Sequence, residues 1–241
     1  MIEARHLTRS FGGRCAVNDV SFRVERGTVA VFLGPNGAGK TTTLRLITGY
    51  LAPDAGSVRI DGHDIGEDPI AARRRFGYLP EAAAGFGDLS VWELLTFIGE
   101  ARGLSGRSRA GEIARVVRAL ALEPALHDPL RSLSKGWRQR AWLAQAMIGD
   151  PPALILDEPT DGLDPLQQQS MRGLIREMGA GKAILLSTHD LDTAEALATR
   201  VIVMAAGRIV ADAAPGELAD GRGRLGGAFE RLVEARAAGR A

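Results

Sequence analysis

The sequence predicts an α/β fold with a mainly parallel β-sheet, an N-terminal antiparallel β subdomain and an inserted α-helical subdomain. In residues 1–88, apolar and polar residues alternate between glycine-rich turns, which indicates strands. In residues 89–149, apolar residues recur at spacings of three and four, which indicates helices. Strand and helix patterns then follow one another, as they do in a parallel sheet. We therefore expect one domain, 1–241, with residues 1–88 and 150–241 forming the core and β subdomain and residues 89–149 the helical subdomain.

Each element has its own pattern. The strands predicted before the helical segment are RHLTRSFGG, AVNDVSFRV, TVAVFL, GSVRIDG and FGYLP, and the helix that follows TVAVFL is TTTLRLITG. The helices of the inserted segment are VWELLTFIGEARGL, RAGEIARVVRALAL and GWRQRAWLAQAMIG. The last part contains the strands PALILDEP and KAILLSTHD, the helix DPLQQQSMRGLIREMG, the hairpin RVIVMAAGRIVADAA with its turn at Gly207, and a helix in the tail RGRLGGAFERLVEARAAGR.

The composition narrows the function classes. Lys and Arg number 30 against 29 Asp and Glu, so we expect no nucleic-acid partner. Cys15 is the only cysteine, which excludes a disulfide framework and fits a cytosolic setting. No signal peptide is visible at the N-terminus. No apolar run approaches the ~18 residues that a membrane-spanning helix needs, so any action at a membrane requires a partner.

A glycine-rich segment between the strand TVAVFL and the helix TTTLRLITG has the spacing of a phosphate-binding loop. The pattern G-x-x-x-x-G-K-[ST] fits at Gly34, Gly39, Lys40 and Thr41. Backbone N–H groups and the helix N-terminus would hold the phosphates, Lys40 would reach the β- and γ-phosphates, and Thr41 would hold Mg²⁺. The first alternative, a plain glycine-rich turn, is disfavoured because a strand and a helix flank the segment as a phosphate-binding loop requires. The second, a dinucleotide-binding turn, does not account for Lys40 and Thr41. The predicted nucleotide-binding residues here are Gly34, Pro35, Asn36, Gly37, Ala38, Gly39, Lys40, Thr41 and Thr42.

Two adjacent carboxylates end the strand ALILDEP. Ligands of open α/β sheets bind at the carboxyl ends of strands. Asp157 would hold Mg²⁺ there, and Glu158 would orient and deprotonate a water molecule aimed at the γ-phosphate. The alternative is that both residues favour the positive end of a helix that begins near Pro159.

His189 ends a second apolar strand, KAILLSTHD. At the same sheet edge it would reach the γ-phosphate and help to align the water molecule with Glu158. The alternative is a structural histidine at the start of a helix.

The segment LSKGWRQR precedes a helix and offers a second anion site. Ser134 would supply a hydroxyl group and Gly136 backbone N–H groups at the helix N-terminus. The alternative is an ordinary helix cap with Ser134 as the capping residue. A second cradle is needed only if the nucleotide is held between two copies of the protein.

These motifs, in this order, resemble the nucleotide-binding subunit of ABC transporters over nearly the whole chain. GPNGAGKT is similar to the Walker A loop, FGYLPE to the Q-loop, LSKGWRQR to the signature motif, LILDEP to Walker B, TDGLDP to the D-loop and STHD to the switch-histidine loop. The resemblance implies a P-loop NTPase core. It also implies that Phe11 stacks on adenine, that Val17 lies beside the nucleotide, and that Glu81 joins Thr41 and Asp157 at the metal.

The resemblance further implies an ATPase that uses ATP and Mg²⁺ and works as a pair of subunits, expected to be identical. Lys40 and Thr41 of one subunit would face Ser134 and Gly136 of the other, with Glu158, His189 and Lys40 as the catalytic residues. The pair would drive transport through integral membrane permease subunits, at the cytoplasmic face of the membrane.

Three departures from the family pattern point to a subgroup. Glu81 stands where most members have glutamine, Lys135 where the signature has glycine and Trp137 where it has glutamine. These variants resemble bacterial exporters whose permease is a separate chain. The alternative function is a soluble ABC-type ATPase acting on ribosomes or DNA.

Overall fold

The protein contains two β-sheets, a helical lobe and further helices that connect the strands; this computed structural model describes residues 1–81, 85–220 and 224–237. The strands are β1 (Ile2–Phe11), β2 (Arg14–Val24), β3 (Val29–Leu33), β4 (Ala55–Ile60), β5 (His63–Asp64), β6 (Phe76–Leu79), β7 (Ala153–Asp157), β8 (Ala183–Thr188), β9 (Arg200–Ala205) and β10 (Arg208–Ala213). The helices are α1 (Lys40–Ile47), α2 (Pro69–Arg74), α3 (Val91–Ala101), α4 (Gly106–Ala119), α5 (Lys135–Met147), α6 (Pro165–Gly179), α7 (Leu191–Leu197), α8 (Pro215–Leu218) and α9 (Gly226–Ala237).

The larger sheet contains six strands in the order β10-β9-β3-β8-β7-β6. The neighbours from β9 to β6 pair in parallel, and β10 pairs antiparallel with β9. The carboxyl ends of β3, β7 and β8 therefore lie side by side at one edge. The hairpin from β9 to β10 turns at Ala206 and Gly207, so this part of the prediction is confirmed.

The smaller sheet is antiparallel, with the order β2-β1-β4-β5. Its inner side chains pack with one face of β3, where Ala30 and Phe32 are buried, and Phe22 meets Phe32 edge-on with ring centroids 5.0 Å apart. The other face of β3, with Val31 and Leu33, belongs to the core shared with the helical lobe. Since β3 is buried on both faces, the loop that follows it has a rigid base. The predicted fold class is confirmed.

Helices α3, α4 and α5 all fall within residues 89–149 and pack on one another. Helix α3 begins with a capping box, in which the Ser90 hydroxyl accepts a hydrogen bond from the Glu93 N–H and the Glu93 carboxylate accepts one from the Ser90 N–H. Helix α5 runs directly over β6, where Gly77 leaves room for the Ala146 carbonyl. Within the described ranges, no helix is both long enough and apolar enough to cross a membrane.

We expect Gly77→Ala to destabilise the protein by about 2 kcal/mol, because the new methyl group would overlap the Ala146 carbonyl and force α5 away from β6. Chemical denaturation followed by circular dichroism measures the change. Gly173→Ala is the matched control, since Gly173 lies in α6 with open space around it. The control should stabilise by about 0.5–1 kcal/mol. Equal stability of Gly77→Ala and the wild type would contradict the close packing of α5 on β6.

Candidate active site

The phosphate-binding loop runs from the end of β3 to the start of α1, as predicted. A side chain at Gly34 would overlap the Met204 carbonyl, and Gly39, with a φ of 105°, would place a Cβ 2.6 Å from the Ala16 carbonyl oxygen. Both glycines are thus required by close backbone approach. Among the described residues, none caps the N-terminus of α1 with its side chain, so its first N–H groups are free to bind an anion.

Lys40 is buried beneath this loop. Its ammonium donates hydrogen bonds to the carbonyl oxygens of Gly34 at 2.7 Å and Pro35 at 3.3 Å, and its Nζ lies 4.0 Å from Oε1 of Glu158. Burial lowers the pKa of Lys40, against the opposing effect of Glu158, Asp157 and Glu81. The Lys40 ammonium is therefore held by backbone carbonyl oxygens, whose place phosphate oxygens can take.

Asp157 is the most constrained acid of the site. Its Oδ1 accepts hydrogen bonds from Ser187 Oγ at 2.5 Å and Thr41 Oγ1 at 3.2 Å. Its Oδ2 is buried and has no hydrogen-bond partner among the described residues. Burial raises the pKa of Asp157, with smaller contributions from the negative charges of Glu81 and Glu158, and the two hydrogen bonds oppose this shift. A buried, unpaired carboxylate oxygen beside a threonine hydroxyl fits a Mg²⁺ ligand.

Glu158 follows β7 in a left-handed backbone conformation, with a φ of 47°. Its N–H points at Ser187, 3.2 Å from both the carbonyl oxygen and the hydroxyl oxygen. Helix α6 begins only at Pro165, with Asp164 as its cap. The alternative interpretation, that Asp157 and Glu158 belong to a helix N-terminus, is therefore wrong.

His189 contacts Glu158 across the sheet edge. Its Nδ1 lies 3.0 Å from Oε1 of Glu158, and its side chain is half exposed while that of Glu158 is buried. His189 directly precedes Asp190, whose side chain caps α7. The imidazole thus stands at the open side of the carboxylate, where a water molecule has access to both.

A cavity of about 560 Å³ lies over the phosphate-binding loop. It is lined by Phe11, Arg14, Cys15, Ala16, Asn36, Gly37, Ala38, Gly39, Lys40, Thr41, Thr42, Glu81, Glu158, Ala206 and Gly207. Phe11 is half exposed in its wall, with the Arg9 guanidinium 5.0 Å from the ring centroid. Val17 is not among the lining residues; it is fully buried in the core beneath them.

Ser134 and Gly136 are not among the residues that line this cavity. Ser134 caps α5, and its hydroxyl accepts a hydrogen bond from the Trp137 N–H at 3.4 Å. The capping interpretation is thus correct for Ser134. Gly136 is buried, and a Cβ there would lie 2.7 Å from the Gln167 side chain. Their binding of a second subunit's nucleotide stays a prediction.

The sequence analysis did not identify Ser187. Its hydroxyl donates a hydrogen bond to Asp157, and its oxygen atoms accept the N–H of Glu158. The sequence alone gives no signal for this contact, because it is the register of β7 and β8 that places Ser187 directly opposite Asp157. Sequence reasoning also missed five cavity-lining residues that lie on two hairpins and carry no motif of their own, Arg14, Cys15, Ala16, Ala206 and Gly207.

Comparison with known proteins identifies the family. Residues 17–161 match the sequence profile described as ABC transporter. The chain belongs to the ABC transporter family. It is 38% identical over 221 residues to "Nod factor export ATP-binding protein I" of Cupriavidus pinatubonensis, covering 91% of this chain and 68% of that protein. It is 38% identical to the ABC transporter ATP-binding protein YxlF of Bacillus subtilis, covering 87% of this chain and 69% of that protein.

Solved structures agree with this assignment. An ATP-binding subunit of an ABC transporter superposes with a TM-score of 0.87 at 32% identity, covering 96% of this chain and 99% of that one. The dimeric ATP-binding cassette MJ0796 bound to ADP and Pi gives a TM-score of 0.80 at 24% identity, which supports the fold, and covers 89% of this chain and 98% of that one. As an ABC transporter ATP-binding subunit, the protein is an ATPase.

We expect Asp157→Asn to raise the thermal stability of the nucleotide-free protein at pH 7. Because the folded state raises the pKa of Asp157, ionising this carboxyl group costs stability; the cost is fully present above the folded pKa and is lost as the pH falls towards the unfolded value of about 3.8. Asparagine avoids this cost and keeps an acceptor oxygen for Ser187. The gain should shrink as the pH falls towards 4, which thermal unfolding at several pH values measures.

Asp150→Asn is the control with the opposite sign. The hydrogen bond from Lys182 lowers the pKa of Asp150, so its ionised form stabilises the fold above its unfolded pKa and this stabilisation is lost at low pH. This variant should melt lower than the wild type at pH 7. A lower melting temperature for Asp157→Asn as well would contradict the burial cost assigned to that carboxylate.

Proposed function

We propose that this protein is the ATP-hydrolysing subunit of an exporter, working as a pair that closes around ATP and drives a separate membrane permease. The observation that carries this proposal is the contact between Glu158 and His189, 3.0 Å apart at the edge of the cavity that holds Lys40 and Thr41. A general base, its orienting histidine and a phosphate cradle thus meet at one place.

In this proposal the loop from Gly34 to Thr42 binds the phosphates through its backbone N–H groups. Lys40 exchanges the carbonyl oxygens of Gly34 and Pro35 for the β- and γ-phosphates. Thr41, Asp157 and Glu81 would hold Mg²⁺ with the phosphate oxygens, and the ion would neutralise charge on them. The buried, unpaired Oδ2 of Asp157 supports this role.

Glu158 orients the attacking water molecule and accepts its proton. Burial of the carboxylate limits competition from solvent, and its Oε1 lies 4.0 Å from the Lys40 Nζ. His189 hydrogen-bonds to Glu158 and faces the γ-phosphate side. Phe11, in the wall of the cavity, stacks on adenine.

The two-subunit arrangement explains the position of Ser134 and Gly136. Neither residue lines the cavity over the phosphate-binding loop of its own chain. If both bind a nucleotide, that nucleotide is therefore the one held by a second copy of the chain. The MJ0796 cassettes of the same fold are dimeric. We infer a head-to-tail homodimer with two nucleotides between its subunits.

Export is supported by the relatives, several of which are named for Nod factor export, and by YbhF of Escherichia coli, named a probable multidrug transporter protein. Glu81 and Lys135, which depart from the usual family motifs, resemble those of bacterial exporters whose permease is a separate chain. A permease partner at the cytoplasmic face of the membrane accords with the lack of a membrane-spanning helix in the described ranges. The alternative, a soluble ABC-type ATPase acting on ribosomes or DNA, predicts different partners.

We expect Glu158→Gln to lower steady-state ATP hydrolysis at least about 100-fold, the scale of a lost general base, while ATP binding is kept. The variant should form an ATP-dependent dimer, measured by analytical ultracentrifugation. Glu177→Gln, on the exposed face of α6, is the matched control and should hydrolyse ATP like the wild type. Turnover of Glu158→Gln at the wild-type rate would disprove the assigned role.

We also expect the protein to co-purify with a multi-span membrane protein from detergent extracts, as identified by mass spectrometry. The tagged wild-type chain and the tagged Glu158→Gln variant should both retain this partner. Recovery of ribosomes or DNA without a membrane protein would favour the alternative function and exclude the exporter.

A further inference from the structure

Phe11, the proposed adenine-stacking residue, stands at the tip of the hairpin that joins β1 and β2. The turn that follows it consists of Gly12 and Gly13, which have no side chains to pack on the ring and lie in open space. The ring is 45% exposed in the wall of the nucleotide cavity. Fixing an exposed ring when a ligand binds costs conformational entropy. A stacking platform at this position therefore needs a support of its own.

Arg9 supplies this support from β1. Its guanidinium stands over the Phe11 ring, with Cζ 5.0 Å from the ring centroid. Phe11 lines the nucleotide cavity, whereas Arg9 is not among the lining residues. The cation therefore covers the face of the ring that is turned away from the cavity and leaves the other face for a base. Attraction between the cation and the π electrons holds the ring in one orientation.

Asp54 anchors Arg9 just before β4 begins. Its Oδ1 accepts a hydrogen bond from Nη1 of Arg9 at 2.7 Å, and its Oδ2 accepts one from the Ser10 N–H at 2.8 Å. The N–H of Asp54 donates to the Thr8 carbonyl oxygen at 2.8 Å. These bonds hold three successive residues of β1 where its register with β2 shifts on both sides of Arg9. One carboxylate thus fixes both the strand and the guanidinium.

The guanidinium of Arg9 has a cost that packing alone does not explain. Its Nε is buried and has no hydrogen-bond partner among the residues that the structure describes. A buried donor without an acceptor costs stability, so an apolar side chain would pack behind the Phe11 ring at a lower cost. The position of the charge behind the ring therefore indicates a role for the cation itself.

We propose that Arg9, anchored by Asp54, is the positioning residue that holds the Phe11 ring for the base of the bound nucleotide. This inference rests on the stacking role proposed above for Phe11. Arg9 acts through the ring and does not touch the nucleotide. The phosphate-binding loop holds the other end of the nucleotide, so loss of Arg9 should weaken binding of the base without slowing the hydrolysis of bound ATP.

The same support should favour large bases. A purine covers more of the Phe11 ring than a pyrimidine does, so it gains more when the ring is fixed. Stacking does not read the hydrogen-bonding groups of a base, so the platform separates purines from pyrimidines and not adenine from guanine. Loss of Arg9 should therefore narrow the preference for ATP over CTP.

The test measures kcat and KM for ATP hydrolysis, with inorganic tripolyphosphate, which carries no base, as a competing inhibitor. Arg9→Ala should raise the KM for ATP about fivefold, the scale of one cation–π contact, with kcat changed less than about twofold. Inhibition by tripolyphosphate should stay the same, because the phosphate-binding loop is intact. Arg9→Lys restores a cation and should recover part of the loss.

Two further variants separate the charge from the strand. Asp54→Asn keeps an acceptor for the Ser10 N–H but removes the charge that anchors Arg9, and it should raise the KM for ATP about twofold to threefold. Arg5→Ala is the matched control, because Arg5 lies on the same strand in an exposed ion pair with Glu3. Its KM and kcat should equal those of the wild type.

A double-mutant cycle with Phe11→Ala distinguishes this inference from the stacking role on which it rests. Phe11→Ala should raise the KM for ATP at least about tenfold, and Arg9→Ala should add no further loss in that background. Arg9→Ala alone should lower the ratio of kcat/KM for ATP to that for CTP several-fold.

An unchanged KM in Arg9→Ala, an equal loss with and without the Phe11 ring, or an equal loss of tripolyphosphate inhibition would overturn the inference. An unchanged KM in Phe11→Ala would instead overturn the stacking role of Phe11.

Discussion

The two hydrogen bonds that Asp157 accepts from Thr41 and Ser187 are the interaction on which this site depends. They join the start of α1, the end of β7 and the end of β8, which the parallel sheet already brings to one edge. Both bonds go to the same oxygen, so the other oxygen stays buried and unpaired. An unpaired buried carboxylate oxygen is costly, and a bound cation would remove this cost. The nucleotide-free site is thus preorganised for its ligand.

The backbone of Glu158 carries conformational strain, which is a second energetic cost within this site. A left-handed conformation is unfavourable for a glutamate, by about 1–3 kcal/mol for strained backbone of this kind. Ser187 holds the strained peptide through the Glu158 N–H, and β7 and β8 are too well paired to relax it. The turn directs the Glu158 carboxylate towards Lys40 on one side and His189 on the other. The strained turn therefore places the Glu158 carboxylate between the Lys40 ammonium and the His189 imidazole.

Features formed by residues close together in the sequence could be predicted, whereas contacts between residues far apart in the sequence mostly could not. The loop from Gly34 to Thr42 is local, so its glycines and flanking elements could be predicted from spacing. Asp157 and His189 could be placed at one edge, because parallel strands end together. The bond from Ser187 could not be predicted without the register of β7 and β8, and the burial of Val17 depends on packing between the two sheets. The strained turn at Glu158 has no sequence signal, because the residue is not a glycine.

The contacts of α5 explain how such a site can be linked to events at a distance. The helix is fixed to β6 at Gly77, where its backbone fits against the strand, and to Pro159 through Gln139. Gly136, at its N-terminal end, is packed beneath Gln167 of α6. Packed interiors transmit displacement because they have little free volume. The Gln139 bond to Pro159 therefore connects α5 to the backbone next to Glu158. The helical lobe is thus linked to the turn that carries Glu158 through buried contacts.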